Sequence, residues 1–158
     1  MVKFEHILVP TDFSEFSRYA LDYAITIAKT FGAKITLIHI TNENELVALQ
    51  QVSPYFEPGK LEELMRQRES EDQKQLDGFI PPELTKGIKV ETIHKVGIPF
   101  VEIIRTAKEK GVDLIVMATH GRSGLSHILL GSVAEKVVRK STCPVLSIRP
   151  REHEFAMP

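Results

Sequence analysis

The residues best suited to chemistry lie in one glycine-rich stretch, MATHGRSGLSHILLGSV, at positions 117–133. Glycine lets backbone N–H groups approach a ligand closely, and a helix beginning at Gly131 and Ser132 would offer free N–H groups at its positive end. Such an arrangement can bind an anion, most naturally phosphate, with Arg122 as a mobile cation. The structural alternative is a set of turn glycines with Ser132 as an N-cap. The stretch matches neither GxGxxG nor GxxxxGK[ST].

A second chemical group is the segment PTDFS, which follows the first apolar run of the chain. The carboxylate of Asp12 could help to hold Mg²⁺ together with nucleotide phosphates, because Mg²⁺ commonly takes one carboxylate plus phosphate oxygens. The alternative is again structural, since the tetrapeptide DFSE from Asp12 to Glu15 has the pattern of a capping box for the first helix. Both interpretations of Asp12 stay open at this point.

Five apolar runs predict the strands that must position these groups: HILVP, KITLIHI, IKVETIHKV, DLIVMA and PVLSIR. The first and fourth are apolar almost throughout, which is typical of parallel strands buried on both faces. Stripes at helical spacing lie between the runs. They are Ala20, Ala24, Ile27, Ala28 and Phe31; Leu61, Leu64, Met65, Leu76 and Phe79; Val101, Ile104 and Ala107; and Val133, Ala134, Val137 and Val138. Gly32 is a predicted C-cap, and Gly111 closes the third helix.

This alternation predicts a three-layer α/β fold with right-handed crossovers. We take its topology to be the usual one, a doubly wound open sheet of five parallel strands in the order 3-2-1-4-5. In that order strands 1 and 4 flank the crevice where such sheets bind ligands. We therefore expect Pro10, Thr11 and Asp12 to face residues 118–132. Residues 41–59 are long for a connection and are predicted to be mobile, either as a lid over the site or as a surface excursion.

Length and composition limit the classes of protein. The chain has 158 residues and a net charge of −1, so we expect one domain at 1–150, a frayed tail at 151–158 and no nucleic-acid partner held by bulk charge. No apolar run approaches the roughly 18 residues of a membrane span, so we expect no membrane partner. The lone Cys143 suits a reducing cytoplasm and a role in core packing.

The residues quoted above, with the spacing between them, resemble the universal stress protein family from residue 4 to residue 149. Its nucleotide-binding branch carries a glycine, two residues, a glycine, nine residues, and then glycine followed by serine or threonine. Gly121, Gly131 and Ser132 match this pattern, whereas its first glycine falls on Ala118. If that position needs a left-handed conformation, alanine costs about 1–2 kcal/mol, or roughly tenfold in affinity; if it is extended, alanine costs little.

The resemblance implies an adenine nucleotide alpha hydrolase-like fold, ATP (or ADP or AMP) as ligand, possibly with Mg²⁺, and a homodimer formed through strand 5. The edge position and apolar character of that strand independently favour pairing. The implied dimer contacts are Val145, Leu146 and Ile148. The implied nucleotide contacts are Pro10, Thr11, Asp12, Ile40, Met117, Ala118, Gly121, Arg122, Gly131, Ser132 and Val133.

No residue is predicted to be catalytic. His120 is a single loop histidine, and His6, His39 and His94 lie in or beside strands without a metal-ligand spacing. We expect nucleotide binding with at most slow ATP hydrolysis or autophosphorylation. A phosphoacceptor receiver domain is excluded because strand 3 ends without a carboxylate, and PTDFSEFS is a poor version of a flavodoxin phosphate loop. The function indicated is stress response through nucleotide-dependent conformation and partner binding; the alternative is a nucleotide-free, dimeric interaction module.

Overall fold

The computed structural model describes residues 2–51, 54, 57–120 and 130–149. Within these residues, five strands pair in parallel in the order β3-β2-β1-β4-β5, which confirms the predicted topology. The strands are β1 (His6–Thr11), β2 (Lys34–Asn42), β3 (Val90–Gly97), β4 (Leu114–Ala118) and β5 (Val145–Ile148). Because β1 and β4 are neighbours although they are distant in sequence, the strand order reverses between them.

The helices of the described residues are α1 (Glu15–Phe31), α2 (Glu43–Gln51), α3 (Lys60–Asp77), α4 (Pro99–Glu109) and α5 (Ser132–Lys140), with a short 3₁₀ turn at Pro82–Thr85. The first helix follows its apolar stripe, since Ala20, Ala24 and Ala28 are fully buried. Gly32 ends it in a left-handed conformation with φ of 69°, which confirms the predicted C-cap.

The sheet carries a separate apolar core on each face, which gives the predicted three layers. On one face Ile7 and Leu37 pack with α1 and with Leu76 of α3. On the other face Leu8 and Ile38 pack with residues of α4 and α5. Alternate residues of the central strands thus belong to different cores, which explains why their sequences are apolar almost throughout.

The segment 41–59 contains regular structure that the sequence analysis did not predict. Strand β2 continues to Asn42, and Glu43–Gln51 form helix α2. None of the side chains of α2 is buried, so this helix has no apolar stripe by which the sequence could predict it.

The predicted helical stripes are also partly wrong. Phe31 of the first stripe is 42% exposed, and Leu61, Leu64 and Met65 of the second are only half-buried. In α4 the buried apolar residues are Ile103 and Ala107, at a spacing of four, while Val101 and Ile104 are only half-buried. In α5 the buried residues are Ala134 and Val137, and Val138 is 47% exposed. In both helices an alternative apolar residue one position away competes for the core face, and the sequence does not decide between them. Among the described residues, no helix is both long and apolar enough to cross a membrane.

Candidate functional site

A cavity of about 270 Å³ opens where the strand order reverses, beyond the carboxyl ends of β1 and β4. This is the position at which open parallel sheets bind ligands. Nine of the eleven predicted contact residues line this crevice: Pro10, Thr11, Asp12, Ile40, Met117, Ala118, Gly131, Ser132 and Val133. The remaining two, Gly121 and Arg122, lie outside the described residues.

At the end of β1, the carboxylate of Asp12 organises the start of α1 without being its cap. The backbone N–H and the hydroxyl of Ser14 both donate to Asp12 Oδ1, at 3.0 and 2.5 Å. Ser14 is the N-cap, because its Oγ accepts from the backbone N–H of Ser17 at 3.2 Å. The capping box predicted to start at Asp12 is therefore wrong by two residues: the helix begins at Glu15, and Asp12 orients the capping serine from the wall of the crevice.

Phe13 has a backbone conformation that the sequence does not predict. Its φ of 65° is left-handed, which costs a residue with a large side chain on the order of 1–3 kcal/mol. Its N–H donates to Thr11 Oγ1 at 3.0 Å, and its ring packs against His39 with centroids 4.2 Å apart. These contacts hold the sharp turn from β1 into α1 and keep Asp12 at the crevice.

Ala118, which replaces the first glycine of the family pattern, is the last residue of β4 and pairs with Ile148. Among the described residues, Phe13 is the one non-glycine residue with a positive φ. The backbone of Ala118 is therefore extended, and the penalty for a left-handed alanine does not apply at this position.

Gly131 is required because its backbone passes close to Thr119, and not because its own conformation needs a glycine. Its φ is −65°, which any residue can adopt, but a Cβ placed here would lie 3.0 Å from the carbonyl oxygen of Thr119. The Gly131 N–H donates to that same oxygen at 2.6 Å. Because this amide is already hydrogen-bonded, the N–H groups that the first turn of α5 could donate to a ligand are those of Ser132, Val133 and Ala134.

The crevice also contains residues that the sequence analysis missed. Arg68 of α3 and Glu45 of α2 line it and form an ion pair at 2.6 Å. His39 lines it from β2, and Thr119 from the end of β4. No sequence signal marks Arg68, because it lies in a charged segment typical of a solvated helix face.

The arrangement places a carboxylate on one side of the crevice and the amino end of a helix on the other, with apolar walls from Ile40 and Met117. The helix end suits an anionic group, and the apolar walls suit a flat organic group. An ionised Asp12 repels a bare anion, so a metal ion between the two, or hydroxyl groups facing Asp12, would complete the match.

Comparisons with known proteins agree with this architecture. The sequence model described as Universal stress protein family matches residues 3–149. Universal stress protein YxiE of Bacillus subtilis is 38% identical over 151 residues, with 92% of this chain and 99% of that protein covered. Universal stress protein MJ0577 of Methanocaldococcus jannaschii is 35% identical over 158 residues, with 94% and 96% covered.

Solved structures give the same result. A structure of MJ0577 superimposes with a TM-score of 0.81 at 33% identity, covering 96% of this chain and 100% of that one. A universal stress protein solved in complex with cAMP superimposes with a TM-score of 0.55 at 25% identity, covering 94% and 98%. With a family match over almost all of its length and relatives of this similarity, the chain belongs to the universal stress protein family.

Proposed function

We propose that this chain is an ATP-binding universal stress protein that acts in the stress response through nucleotide-dependent conformation and partner binding. The observation that carries the proposal is the crevice itself, which is lined by nine of the eleven residues that the family resemblance implies. The family member in complex with cAMP supports an adenine nucleotide as the class of ligand.

In the proposed complex, the phosphates lie at the amino end of α5. The N–H groups of Ser132 and Val133 donate to them, and Ser132 adds its exposed hydroxyl. Gly131 contributes by letting the chain pass close to Thr119, and Arg122 contributes its charge. The base lies against Ile40 and Met117, and Pro10, Thr11 and Ala118 complete the walls.

Mg²⁺ fits the oxygen donors of this site. Asp12 supplies a carboxylate on the wall facing α5, and the remaining ligands would be phosphate oxygens and water, which is the donor set that Mg²⁺ prefers. When bound, the ion would neutralise the repulsion between Asp12 and the phosphates.

The conformational part of the proposal concerns the Glu45–Arg68 ion pair, which joins α2 to α3 at the rim of the crevice. A bound nucleotide that contacts either side chain would change the order of α2 and so the surface offered to a partner. Hydrogen exchange of Glu43–Gln51 with and without ATP measures this change, and identical protection in the two states contradicts it.

The direct experiment is to denature the purified protein and identify any released adenine nucleotide by chromatography. In parallel, Mg-ATP is added to nucleotide-free protein and the melting temperature is followed. Ligand at about 100 times its Kd should add roughly 2.7 kcal/mol to the free energy of unfolding. If no nucleotide is released and the melting temperature does not change, the chain acts instead as the nucleotide-free interaction module.

A pair of variants tests the amino end of α5. Ser132→Pro removes one N–H at the first helical position, where proline is tolerated, and Ser132→Ala keeps that N–H but removes the hydroxyl. Loss of a hydrogen bond to a charged phosphate costs about 1.5–3 kcal/mol, so Ser132→Pro should bind ATP roughly 10–100-fold more weakly by calorimetry. Ser132→Ala controls for the hydroxyl. Equal affinities for the two variants would place the phosphates elsewhere.

We further propose that the chain forms a homodimer through β5, which lies at an edge of the sheet. Leu146 is 36% exposed there and Val145 is half-buried. Ile148 is only 8% exposed because it packs into the core of its own chain. In the proposed dimer, Leu146 therefore supplies the main apolar contact, and Ile148 supports the strand from beneath.

A further inference from the structure

Two histidines and an aspartate that are far apart in sequence meet beside the crevice. His39 of β2 and His94 of β3 are register partners in the parallel sheet, so their side chains leave the same face. Asp72 of α3 lies against them, with Oδ2 3.8 Å from the Nε2 atom of each histidine. One ligand atom from each residue lies within 4.8 Å of the others. We call these three residues the His–Asp–His cluster.

The histidines interrupt an otherwise apolar face. Along β2, Ile35 and Leu37 point into the core with α1 and α3, and the next residues on that face are His39 and Thr41. The cluster is largely buried, with side-chain exposures of 8% for His39, 7% for His94 and 14% for Asp72. Burying three titratable groups together is unfavourable unless they are paired or share a cation.

A backbone carbonyl orients His39 in the way that metal-ligating histidines are usually oriented. His39 Nδ1 lies 2.8 Å from the carbonyl oxygen of Thr11, which can only accept, so Nδ1 carries the proton. In the neutral ring, Nε2, the nitrogen near Asp72, is then the one with a lone pair. Thr41 Oγ1 donates to Asp72 Oδ2 at 2.9 Å and lies 2.8 Å from His94 Nε2, so this hydroxyl bridges two of the ligand atoms, and a metal ion would replace its contact with His94.

We propose that the His–Asp–His cluster is a binding site for a divalent transition-metal ion of the zinc type. Two imidazole nitrogens and one carboxylate oxygen are a donor set that zinc accepts, with a fourth position left for water or another ligand. Along the chain, the histidines have no metal-ligand spacing, as the sequence analysis found. The cluster leaves no such spacing because its members come from three separate elements.

The distances are larger than those of an assembled site. Donors at about 2.0–2.1 Å from a tetrahedral zinc ion lie roughly 3.4 Å apart, so each histidine must approach Asp72 from 3.8 Å. The two histidine nitrogens, which lie within 4.8 Å of each other, must also move together. His94 must also carry its proton on Nδ1, which leaves Thr41 to donate to Asp72. Arg68 Nε, at 3.9 Å from Asp72 Oδ2, competes for the carboxylate, but its side chain is 39% exposed and is also paired with Glu45.

The proposed metal site is separate from the proposed Mg²⁺ position. His39 and Thr41 line the crevice, whereas Asp72 and His94 are not among its lining residues. The two sites also differ in donor chemistry: nitrogen-rich here, and oxygen-only around Asp12. Zinc at the cluster would join α3 to the sheet and so should raise the melting temperature without nucleotide.

The test uses the full chain without an affinity tag, stripped of metal by a chelator and free of nucleotide. Zinc is titrated in competition with a chromophoric chelator, and cobalt is added separately while the visible spectrum is recorded. We expect one zinc ion per chain, and the intense visible bands of low-coordinate cobalt. Asp72→Asn and His94→Gln should each weaken zinc binding by at least about tenfold.

Asp72→Asn keeps the shape of the side chain and its acceptor for Thr41, so it is expected to fold; circular dichroism checks this. His153→Gln is the matched control, because it removes a histidine that is not part of the cluster, and it should bind zinc like the parent chain. Absence of zinc binding, a weak octahedral cobalt spectrum, or equal affinity in Asp72→Asn and the parent chain would overturn the proposal. ATP-induced stabilisation of Asp72→Asn is measured separately, so failure of the nucleotide proposal is recognised independently.

Discussion

The two halves of the sheet form their candidate binding sites from different parts of the chain, one mainly from backbone and the other from side chains. On the side of β1, β4 and β5, the wall of the crevice is built largely from backbone: a strand end, a close approach of Gly131 to Thr119, and the first turn of α5. In the half formed by β2, β3 and α3, the candidate site is built from side chains, the His–Asp–His cluster. A backbone site leaves glycines in the sequence, whereas a side-chain site assembled from three elements leaves no local pattern.

The two edges of the sheet differ as well. On β5, Leu146 is 36% exposed, in a strand of only four residues. On β3, Val96 is 50% exposed, but its neighbour Lys95 lies 3.5 Å from Glu102 in an ion pair. Charged side chains on an edge strand discourage pairing with another chain. The difference favours β5, and not β3, as the edge of the proposed dimer.

The largest effect is expected for Leu146→Lys, because a charge in the centre of the proposed dimer contact should convert dimers into monomers. Light scattering measures the mass. Val96→Lys is the control, since it places the same charge on an exposed apolar position of the opposite edge, and it should stay dimeric. A Leu146→Lys protein that stays dimeric would contradict a contact through β5. A dimer lost only in Val96→Lys would place the contact at β3 instead.

A smaller effect is expected for Gly131→Ala. The added Cβ would lie 3.0 Å from the carbonyl of Thr119, and that residue is held by its own N–H, which donates to Ile148 at 3.0 Å. We expect the free energy of unfolding to fall by about 1–2 kcal/mol, and ATP binding to weaken because the start of α5 must shift. Chemical denaturation and calorimetry measure the two quantities.

Gly78→Ala is the control for this change, because its Cβ would meet only the carbonyl of Lys74 at an ordinary 3.5 Å. It should leave stability unchanged or raise it slightly. Equal destabilisation by the two substitutions would mean that the contact between Gly131 and Thr119 is not the reason for the glycine.

The smallest effect concerns His6, a buried strand histidine in the half of the sheet that contains β1. Burial, followed by the positive charge of Lys34, lowers the pKa of its imidazole from the usual 6.5. The unfolded chain therefore takes up the proton first, and the free energy of unfolding falls as the pH drops through 6.5 towards the pKa of the folded state.

His6→Gln removes this titration while keeping groups that can bond to Thr36 and to the carbonyl of Lys110. Denaturation curves of the two proteins between neutral and mildly acidic pH should therefore diverge in slope, with the variant less sensitive to pH. Parallel curves would show that His6 protonates equally in the folded and unfolded states.

The five strands and the glycine-rich wall of the crevice could be predicted because each depends on a local pattern, whereas the strand order follows from the usual topology of doubly wound sheets. The apolar runs of β1 and β4 are complete on both faces, and the spacing from Gly121 to Ser132 marks the start of α5. The cap of α1 could be predicted only to within two residues, because Asp12 and Ser14 are both good N-cap residues. Which of them caps depends on the left-handed turn at Phe13, which no propensity indicates.

The rest depends on register and on contacts between distant elements. His39 and His94 meet only because β2 and β3 pair in one particular register, and Asp72 reaches them only once α3 lies on the sheet. Helix α2 could not be predicted from periodicity because it buries no side chain. The cluster and helix α2 are therefore visible only in the tertiary structure, and no local sequence pattern predicts them.

Helix α3 has a consequence for how the molecule opens. In its eighteen residues, Leu76 is the one buried side chain, and polar contacts such as Asp72 to Thr41 and Asp77 to Thr92 provide other attachments. Such an element detaches by sub-global opening at a lower free energy than the strands beneath it. The wall that carries Arg68 can thus swing away with the loss of Leu76 from one core, while the core between the sheet, α4 and α5 stays intact, which gives ions and small molecules a route to the buried imidazoles that requires no global unfolding.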